Sequence, residues 1–434
     1  MKTIIMAGGK GTRIASVVSD VPKPMIKVCG KPILEYQIDN LRKYGLNDIV
    51  LVIGYLGQVI KDYFGDGSRW GVKISYFEEK HPLGTAGALF KMAELTEDFL
   101  MMCGDVMIDM DFERLIFFHQ THNSLATLVS HPNGHPYDSS LLVTETVAPQ
   151  SKGGMPLDTH RIVKWMTKED PRTYYQNRVN AGIEIISPEL LRIVQMNLTP
   201  RHPECPDKID LDRDVLKPNI QSGRIYAYDT PEYIKDMGTP ERLYETQRDI
   251  ARGLVQNRNL SIKQKAIFLD RDGTINKMVG FLTTPEQFQL LPGVAEAIKH
   301  VNSSGYLAIV VTNQPVIARG DCTFEELQLV HNKMETELGK LGAYLDGIYV
   351  CPHHPDKGFE GERPEYKCDC NCRKPKPGMF LQAAKDFNID LSQSYMIGDC
   401  TTDVQAGTNA GLRQSFMVKT NQEEALLCLV NKLI

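Results

Sequence analysis

A chain of 434 residues, 42% of them hydrophobic and 24% charged, is long enough for two or three domains, each with its own core. Its formal charge of −5, from 49 Lys and Arg against 54 Asp and Glu, excludes a general nucleic-acid footprint, so small anionic ligands would be met by local cations, backbone N–H groups and metal ions. No stretch approaches the roughly 20 apolar residues of a membrane span, and the apolar run in Met1-Lys-Thr-Ile-Ile-Met6 is too short for a signal peptide, which points to a cytoplasmic protein.

Strand-like Lys2–Met6 runs into Ala7-Gly8-Gly9-Lys10-Gly11-Thr12-Arg13, and Pro22-Lys23-Pro24-Met25 follows. Glycines clustered after a strand let backbone N–H groups approach a polyphosphate, and Arg13 and Lys23 would supply charge to a pyrophosphate leaving group. Neither a Walker A loop nor a complete G-x-G-x-x-G fingerprint is present, and taken alone the cluster reads equally well as a tight turn. Helix-like Ile33–Tyr44 and strands at Ile49–Ile53 and Phe99–Met102 continue an alternation that implies a parallel α/β sheet up to about residue 240. Within it stand Leu83-Gly84-Thr85-Ala86-Gly87, Gly104-Asp105, Asn180-Ala-Gly182 and Asp236-Met-Gly-Thr-Pro240. Gly65, Gly67 and Gly71 form a turn cluster, His131 and His135 read as a solvated loop, and Trp165 reads as packing.

Together these motifs resemble the sugar-1-phosphate nucleotidyltransferase family over about 1–245. The resemblance implies that Asp105 and Asp236 hold a catalytic Mg²⁺ and that Arg13 and Lys23 contact triphosphate oxygens. It also implies that Gly8, Gly9, Gly11, Thr12, Gly84, Thr85 and Gly87 bind the nucleotide, and that Lys168, Asn180 and Gly182 face the sugar phosphate. Lys168 departs from the pattern, because Trp165-Met-Thr-Lys-Glu-Asp170 lacks the proline usual after the family's Glu-Lys pair. The chemistry would be in-line attack of a sugar phosphate oxygen on the α-phosphorus of a nucleoside triphosphate, which needs positioning and charge neutralisation but no protein nucleophile. The run Arg13-Ile-Ala-Ser-Val-Val-Ser-Asp-Val-Pro-Lys-Pro-Met25 is similar to that of D-glycero-α-D-manno-heptose 1-phosphate guanylyltransferases, which implies GTP as the donor.

The polar stretch from Glu241 to Lys265 starts helix-like and then loses apolar periodicity, so a linker is expected over 246–262 between a domain at 1–245 and a second at 263–434. Three further strands, Ala266–Leu269, Leu307–Val311 and Tyr395–Ile397, each end in polar residues: Asp270, then Thr312-Asn313-Gln314, then Gly398-Asp399. In a doubly wound sheet the carboxyl ends of parallel strands share one crevice, so these residues converge. Asp270 would attack phosphorus and Asp272, two residues on, would handle the proton. Asp270 and Asp399 offer hard oxygens to Mg²⁺ with Asp403 nearby, Thr312 offers a hydroxyl, and Lys374 would neutralise developing charge. Of the ten cysteines, Cys351, Cys368, Cys370 and Cys372 crowd together with His353 and His354, a C-x-H pair and a C-x-C pair that suit tetrahedral zinc.

Residues from about 263 to 434 resemble the haloacid dehalogenase superfamily, with its four motifs at Asp270/Asp272, Thr312, Lys374 and Asp399/Asp403. Within it, Cys351-Pro-His353 followed by Cys370-Asn-Cys372-Arg373-Lys374 resembles the zinc-loop branch, which contains heptose bisphosphate and histidinol-phosphate phosphatases. That implies Mg²⁺ at Asp270, Asp272 and Asp399, a structural Zn²⁺ at Cys351, His353, Cys370 and Cys372, and substrate contacts from Asn313, Gln314 and Arg373. Cys368 and His354 are alternative zinc ligands. The expected whole is an α/β protein of two Rossmann-like domains, one a nucleotidyltransferase fold and the other a haloacid dehalogenase-like fold with a zinc loop. Its substrates would be GTP and heptose phosphates. The alternative is a hexose-1-phosphate nucleotidyltransferase fused to a histidinol-phosphate-like phosphatase.

Overall fold

The computed structural model describes residues 1–9, 21–149, 151–358 and 360–434. Gly11, Thr12 and Arg13 lie outside the described residues. The chain divides into two compact units. The first comprises Met1–Ser130, His160–Trp165 and Asn180–Asn259, and the second His131–Thr159, Met166–Val179 and Leu260–Ile434.

The first unit is built on a mixed sheet. Strands Lys73–Glu78, Asp48–Ile53, Thr3–Met6 and Phe99–Cys103 lie side by side in that order and run parallel, with Thr3 opposite both Ile49 and Leu100. The sheet then departs from the parallel expectation, because Val179–Ile186 runs antiparallel to Phe99–Cys103 with Ile183 opposite Met102. Helix Ile33–Lys43 buries Leu34, Ile38 and Leu41 against Ile5, Leu51 and Met102, one face of the sheet. A separate two-stranded ribbon pairs Val106–Asp109 with Tyr233–Asp236, placing Asp236 opposite Val106. The stretch expected to link the domains is instead packed into its units. Helix Pro240–Ala251 is followed by a short helix, Leu254–Asn257, with Val255 buried, and Asn259 donates to Asp109 Oδ1 at 2.6 Å. A single helical turn is too short to show periodicity in the sequence.

The second unit contains a five-stranded, wholly parallel sheet in the order Gly347–Cys351, Tyr306–Asn313, Lys265–Leu269, Tyr395–Gly398 and Gln414–Met417. Alternate residues of its central strand feed two cores. Ile267 and Leu269 pack with helices Val294–Asn302 and Phe324–Lys340, whereas Ala266 and Phe268 pack with Met379, Phe380 and the buried cysteines Cys351, Cys370 and Cys372. Burial on both faces is why this strand reads as an unbroken apolar run, and it fixes the carboxyl end on which Asp270 sits.

Candidate functional site

Asp270 follows the central strand directly, and its N–H donates to Ile397 O at 2.9 Å, tying it to the neighbouring strand that delivers Asp399. Lys374 Nζ stands 2.6 Å from Asp270 Oδ1, 2.6 Å from Asp403 Oδ1 and 2.8 Å from Val311 O, so its three donors are all used. Burial pushes the Asp270 carboxyl up to about 7, with Lys374 opposing the rise and Asp403 adding to it. Burial likewise acts to lower Lys374, but the two carboxylates outweigh it and hold its pKa above the ordinary value. Lys374 is held at its backbone too: its N–H donates to Asn313 Oδ1 at 3.0 Å, while Asn313 Nδ2 donates to Lys374 O at 3.1 Å.

Asp272 faces a different set of partners. Arg271 donates to it through Nη2 at 2.7 Å and Nε at 3.1 Å, Asn276 at 2.9 Å and Gln314 at 2.9 Å. Burial raises its pKa, yet Arg271 and these donors outweigh burial and hold the carboxyl below its usual range. Four donors fill the acceptor sites of a carboxylate, so this side chain has no open oxygen for a cation in this arrangement. Gln314 Nε2 also donates to Thr312 Oγ1 at 2.8 Å, which orients that hydroxyl. Arg271 is itself fully buried and donates to His331 Nε2 at 3.1 Å, and burial followed by the Arg271 charge lowers His331 to about 3, leaving a neutral acceptor.

The Asp399 carboxylate packs against Gly273, where a Cβ would lie 2.2 Å from Asp399 Oδ2 and φ is +85°, so glycine is required on both counts. Asp399 Oδ1 is buried without a hydrogen-bond partner among the described residues. An acceptor left open in this way is costly unless something fills it, and a hard divalent cation fits the oxygen chemistry of Asp399 and Asp270.

Cys351, His353, Cys370 and Cys372 come together as one buried group whose donor atoms lie within 4.8 Å of one another. Cys351 Sγ is 3.6 Å from Cys370 Sγ and 3.7 Å from His353 Nδ1, and Cys372 Sγ is 3.4 Å from both Cys370 Sγ and His353 Nδ1. Tetrahedral zinc with bonds of about 2.3 Å to sulfur sets ligand separations near ~3.7 Å, so the quartet has the dimensions of a zinc site. Cys368 and His354 stand outside it, and His354 Nδ1 instead accepts the Asp356 N–H at 3.2 Å. Arg373 Nη1 donates to His353 O at 3.0 Å, tying that cation to the metal-binding loop.

In the first unit the ribbon places Asp236 opposite Val106, the residue after Asp105, and Met237 N donates to Asp105 O at 3.0 Å. Each carboxylate carries a cation: Lys23 pairs with Asp105, and Arg242, at the start of helix Pro240–Ala251, pairs with Asp236. The turn Leu83–Gly87 packs on the chain at 207–211. A Cβ on Gly84 would lie 2.3 Å from Ile209 O and one on Gly87 2.2 Å from Asp207 O, while Thr85 Oγ1 accepts the Leu211 N–H at 2.7 Å. These glycines therefore serve close backbone approach within the fold. Gly8 lies against Glu79, whose Oε1 accepts the Leu83 N–H at 3.3 Å, so Glu79 joins the first glycine turn to the second. Gly9 has open space around it. Asn180 Oδ1 accepts the Gly182 N–H at 3.3 Å, and Lys168 is exposed in a turn of the second unit. His135 pairs with Asp138 at 3.0 Å, and Trp165 is buried, in keeping with a surface loop and with packing. Arg271, His331, Arg242 and Glu79 join these sites only through contacts made in the folded chain. Arg271 stood between the two motif aspartates, and the others carried no spacing that marks a partner.

Strand-end carboxylates, a buried lysine and two further aspartates each paired with a cation, on two α/β units, define an enzyme of phosphate chemistry. Residues 2–253 match the nucleotidyl transferase family and residues 371–428 the HAD-hydrolase-like family. The chain belongs to the nucleotidyl transferase family and carries a HAD-like phosphatase domain behind that region. A D-glycero-beta-D-manno-heptose-1,7-bisphosphate 7-phosphatase of Haemophilus ducreyi is 46% identical over 160 residues, covering 37% of this chain and 85% of that protein. The mannose-1-phosphate guanylyltransferase catalytic subunit beta of Danio rerio is 31% identical over 246 residues, covering 56% of this chain and 62% of that protein. Among solved structures, D,D-heptose 1,7-bisphosphate phosphatase from B. bronchiseptica with magnesium and phosphate aligns with a TM-score of 0.33 at 34% identity, covering 38% of this chain and 87% of that one. No described helix is long and apolar enough to cross a membrane.

Proposed function

We propose that the chain removes the 7-phosphate of D-glycero-α-D-manno-heptose 1,7-bisphosphate and transfers GMP from GTP to the resulting heptose 1-phosphate, releasing GDP-heptose and pyrophosphate. The observation that carries the hydrolytic half is the buried Lys374 ammonium shared between Asp270 and Asp403 beside the open Asp399 oxygen. Lys374 fixes the rotamer of Asp270, so the carboxylate is already aimed when a phosphate ester arrives. Asp270 attacks phosphorus, the P–O bond to the sugar breaks, and an aspartyl-phosphate forms. Thr312 and Arg373 meet the equatorial oxygens. Asp272, after taking up a proton from solvent, protonates the sugar oxygen as the P–O bond breaks, and the carboxylate so formed takes a proton from the water that cleaves the acyl phosphate. Its resting ionised form suits the second step. Mg²⁺ held by Asp270 and Asp399 would neutralise phosphoryl charge. Zn²⁺ on Cys351, His353, Cys370 and Cys372 would be structural, fixing His353 O and through it Arg373.

In the first unit, Asp105 and Asp236 would hold Mg²⁺, with Lys23 and Arg242 passing from carboxylate to triphosphate oxygens as the nucleotide binds. Arg13 adds charge to the same triphosphate, and Asn180 and Gly182 receive the sugar phosphate. The heptose reading is supported by the 46% identity to a 7-phosphatase named for the β-anomer, and the guanylyl reading by the 31% identity to a mannose-1-phosphate guanylyltransferase. The second relative also favours a competing acceptor, mannose 1-phosphate. Phosphorus NMR of the enzyme with heptose 1,7-bisphosphate anomers, GTP and Mg²⁺ tests both steps and their order. The reading predicts loss of the 7-phosphate signal followed by a GDP-sugar. Turnover of mannose 1-phosphate alone would overturn the heptose assignment.

A further inference from the structure

The cysteine–histidine quartet is covered by chain that lies about two hundred residues upstream of it. The second unit includes His131–Thr159 and Met166–Val179 as well as Leu260–Ile434, so these segments fold as part of the phosphatase body. A Cβ on Gly153, where φ is +81°, would lie 3.5 Å from Cys370 Cβ and 3.7 Å from Cys370 Cα, so the turn rests directly on a ligand. Met155 packs into the apolar cluster that contains Cys351, Cys370 and Cys372. Lys152 and the Gly153 N–H face the Cys368 thiol at the edge of the group.

The same upstream segments are fastened elsewhere on the unit, independently of the quartet. Tyr175 N donates to Thr336 Oγ1 at 3.0 Å, and Lys333 Nζ lies 4.8 Å from the centre of the Tyr174 ring. A Cβ on Gly134 would stand 2.8 Å from Gly342 O, and one on Gly339 2.7 Å from Pro136 Cγ. The first contact brings two backbones, and the second a backbone and the Pro136 ring, to a distance that leaves no room for a Cβ. The turn over Cys370 is therefore the end of an anchored segment.

We propose that the Ser151–Met155 turn is a cover that controls how fast a thiophilic divalent cation leaves the quartet. The inference rests on the reading that the quartet holds such an ion. An ion bound by buried thiolates leaves by ligand exchange with water or a chelator, and exchange requires an approach to the sulfurs. Cys351 is 0%, His353 1%, Cys372 3% and Cys370 5% exposed, so that approach passes through whatever covers the group. Met155 supplies apolar atoms there and Gly153 allows the backbone close contact.

The test is zinc transfer from the full-length, zinc-loaded protein to an excess of a chromophoric chelator, with bound zinc counted beforehand by elemental analysis. Met155→Asp brings a charge and water to the cover and is expected to speed release about tenfold or more, with one zinc per chain at the start. Met196→Asp, at a side chain 80% exposed in the first unit, is expected to release zinc at the parent rate. Release from Met155→Asp within twofold of the parent would overturn the cover. If Met155→Asp is not recovered folded, Met155→Ala decides by the same criterion, with about a threefold acceleration expected. A parent protein that binds no zinc would instead refute the underlying reading of the quartet, so the two failures are distinct.

Discussion

Replacing Lys374 by Met tests the electrostatic centre of the phosphatase unit. The methionine approximates the lysine stem in volume but leaves Asp270 and Asp403 buried without the cation that sits 2.6 Å from each. Removing one partner of a buried ion pair costs about 3–5 kcal/mol, because the remaining charge is neither solvated nor paired. Two stranded carboxylates would cost more, except that burial already pushes Asp270 up to about 7 and proton uptake there caps the loss. We therefore expect destabilisation of about 3–5 kcal/mol at neutral pH, a fall of roughly 6–20 °C in the melting of a unit of this size. Calorimetry of the full chain measures it, and phosphate release should fall at least about 10²–10³-fold with the loss of charge neutralisation. Adding Asp403→Asn should recover about 1 kcal/mol or more, since the asparagine oxygen still accepts the Cys400 N–H that Asp403 Oδ2 takes at 2.9 Å. A Lys374→Met protein melting within 2 °C of its parent, about 1 kcal/mol or less, would refute the idea that this lysine carries two buried charges.

Asp270→Asn keeps an acceptor for Lys374 and removes the proposed nucleophile, so phosphate release should drop about 10³-fold or more while nucleotidyl transfer persists. A folded variant in which both activities fell together would show that the two sites are not separate. His331 stays neutral in the folded protein down to about 3 but protonates near its ordinary value of 6.5 when unfolded. The unfolded state then binds more protons below pH 6.5, and stability falls as pH drops, by about 1.4 kcal/mol per unit and about 2 kcal/mol by pH 5. His331→Gln keeps an acceptor for Arg271 and should flatten that slope in urea titrations between pH 5 and 7; an unchanged slope would mean another group is responsible. Gly87→Ala forces a methyl group to 2.2 Å from Asp207 O and 2.3 Å from Leu83 O, and should destabilise the first unit by about 1–3 kcal/mol in thermal melts. Unchanged melting would show that the two turns can part without cost.

The parts of the site that sequence could show are those written as a strand followed by its functional residue. Ala266–Leu269 before Asp270, Leu307–Val311 before Thr312 and Tyr395–Ile397 before Asp399 are apolar runs that end in chemistry, and parallel pairing brings their ends together. The quartet was legible for a similar reason, because two close pairs of soft ligands fix their own geometry. Residues that act through tertiary contact left no such trace. His331 lies 60 residues from Arg271 on an amphipathic helix and looks there like any buried polar residue. Arg242 reads as an ordinary surface arginine until the ribbon and the Thr239 cap turn it toward Asp236. The membership of His131–Thr159 and Met166–Val179 in the second unit is set by glycine-to-backbone contacts such as Gly134 on Gly342, which have no period to detect.

The two sites hold acidic groups against cations in opposite ways, and the difference suits the chemistry proposed for each. The side chains of Asp105 and Asp236 are 30% and 40% exposed, and each is paired with a cation on a long side chain, Lys23 or Arg242. In high dielectric such a pair is worth little, so exchanging the carboxylate for a phosphate oxygen costs little. That suits a reaction in which protein atoms only position two phosphates. The Lys374 side chain is 2% exposed and bound at once to Asp270, Asp403 and Val311 O. Moving it would strand two carboxylates in low dielectric, so it stays in place. A nucleophile that must meet phosphorus at one angle needs a fixed partner of this kind, and the burial that fixes it also raises the Asp270 carboxyl toward neutrality. A divalent cation held at the open Asp399 oxygen, as proposed, would offset that rise by favouring the charged form. On the proposed mechanism the buried lysine and the open aspartate oxygen are complementary requirements of one nucleophile, the first for its aim and the second, through the cation it would hold, for its charge.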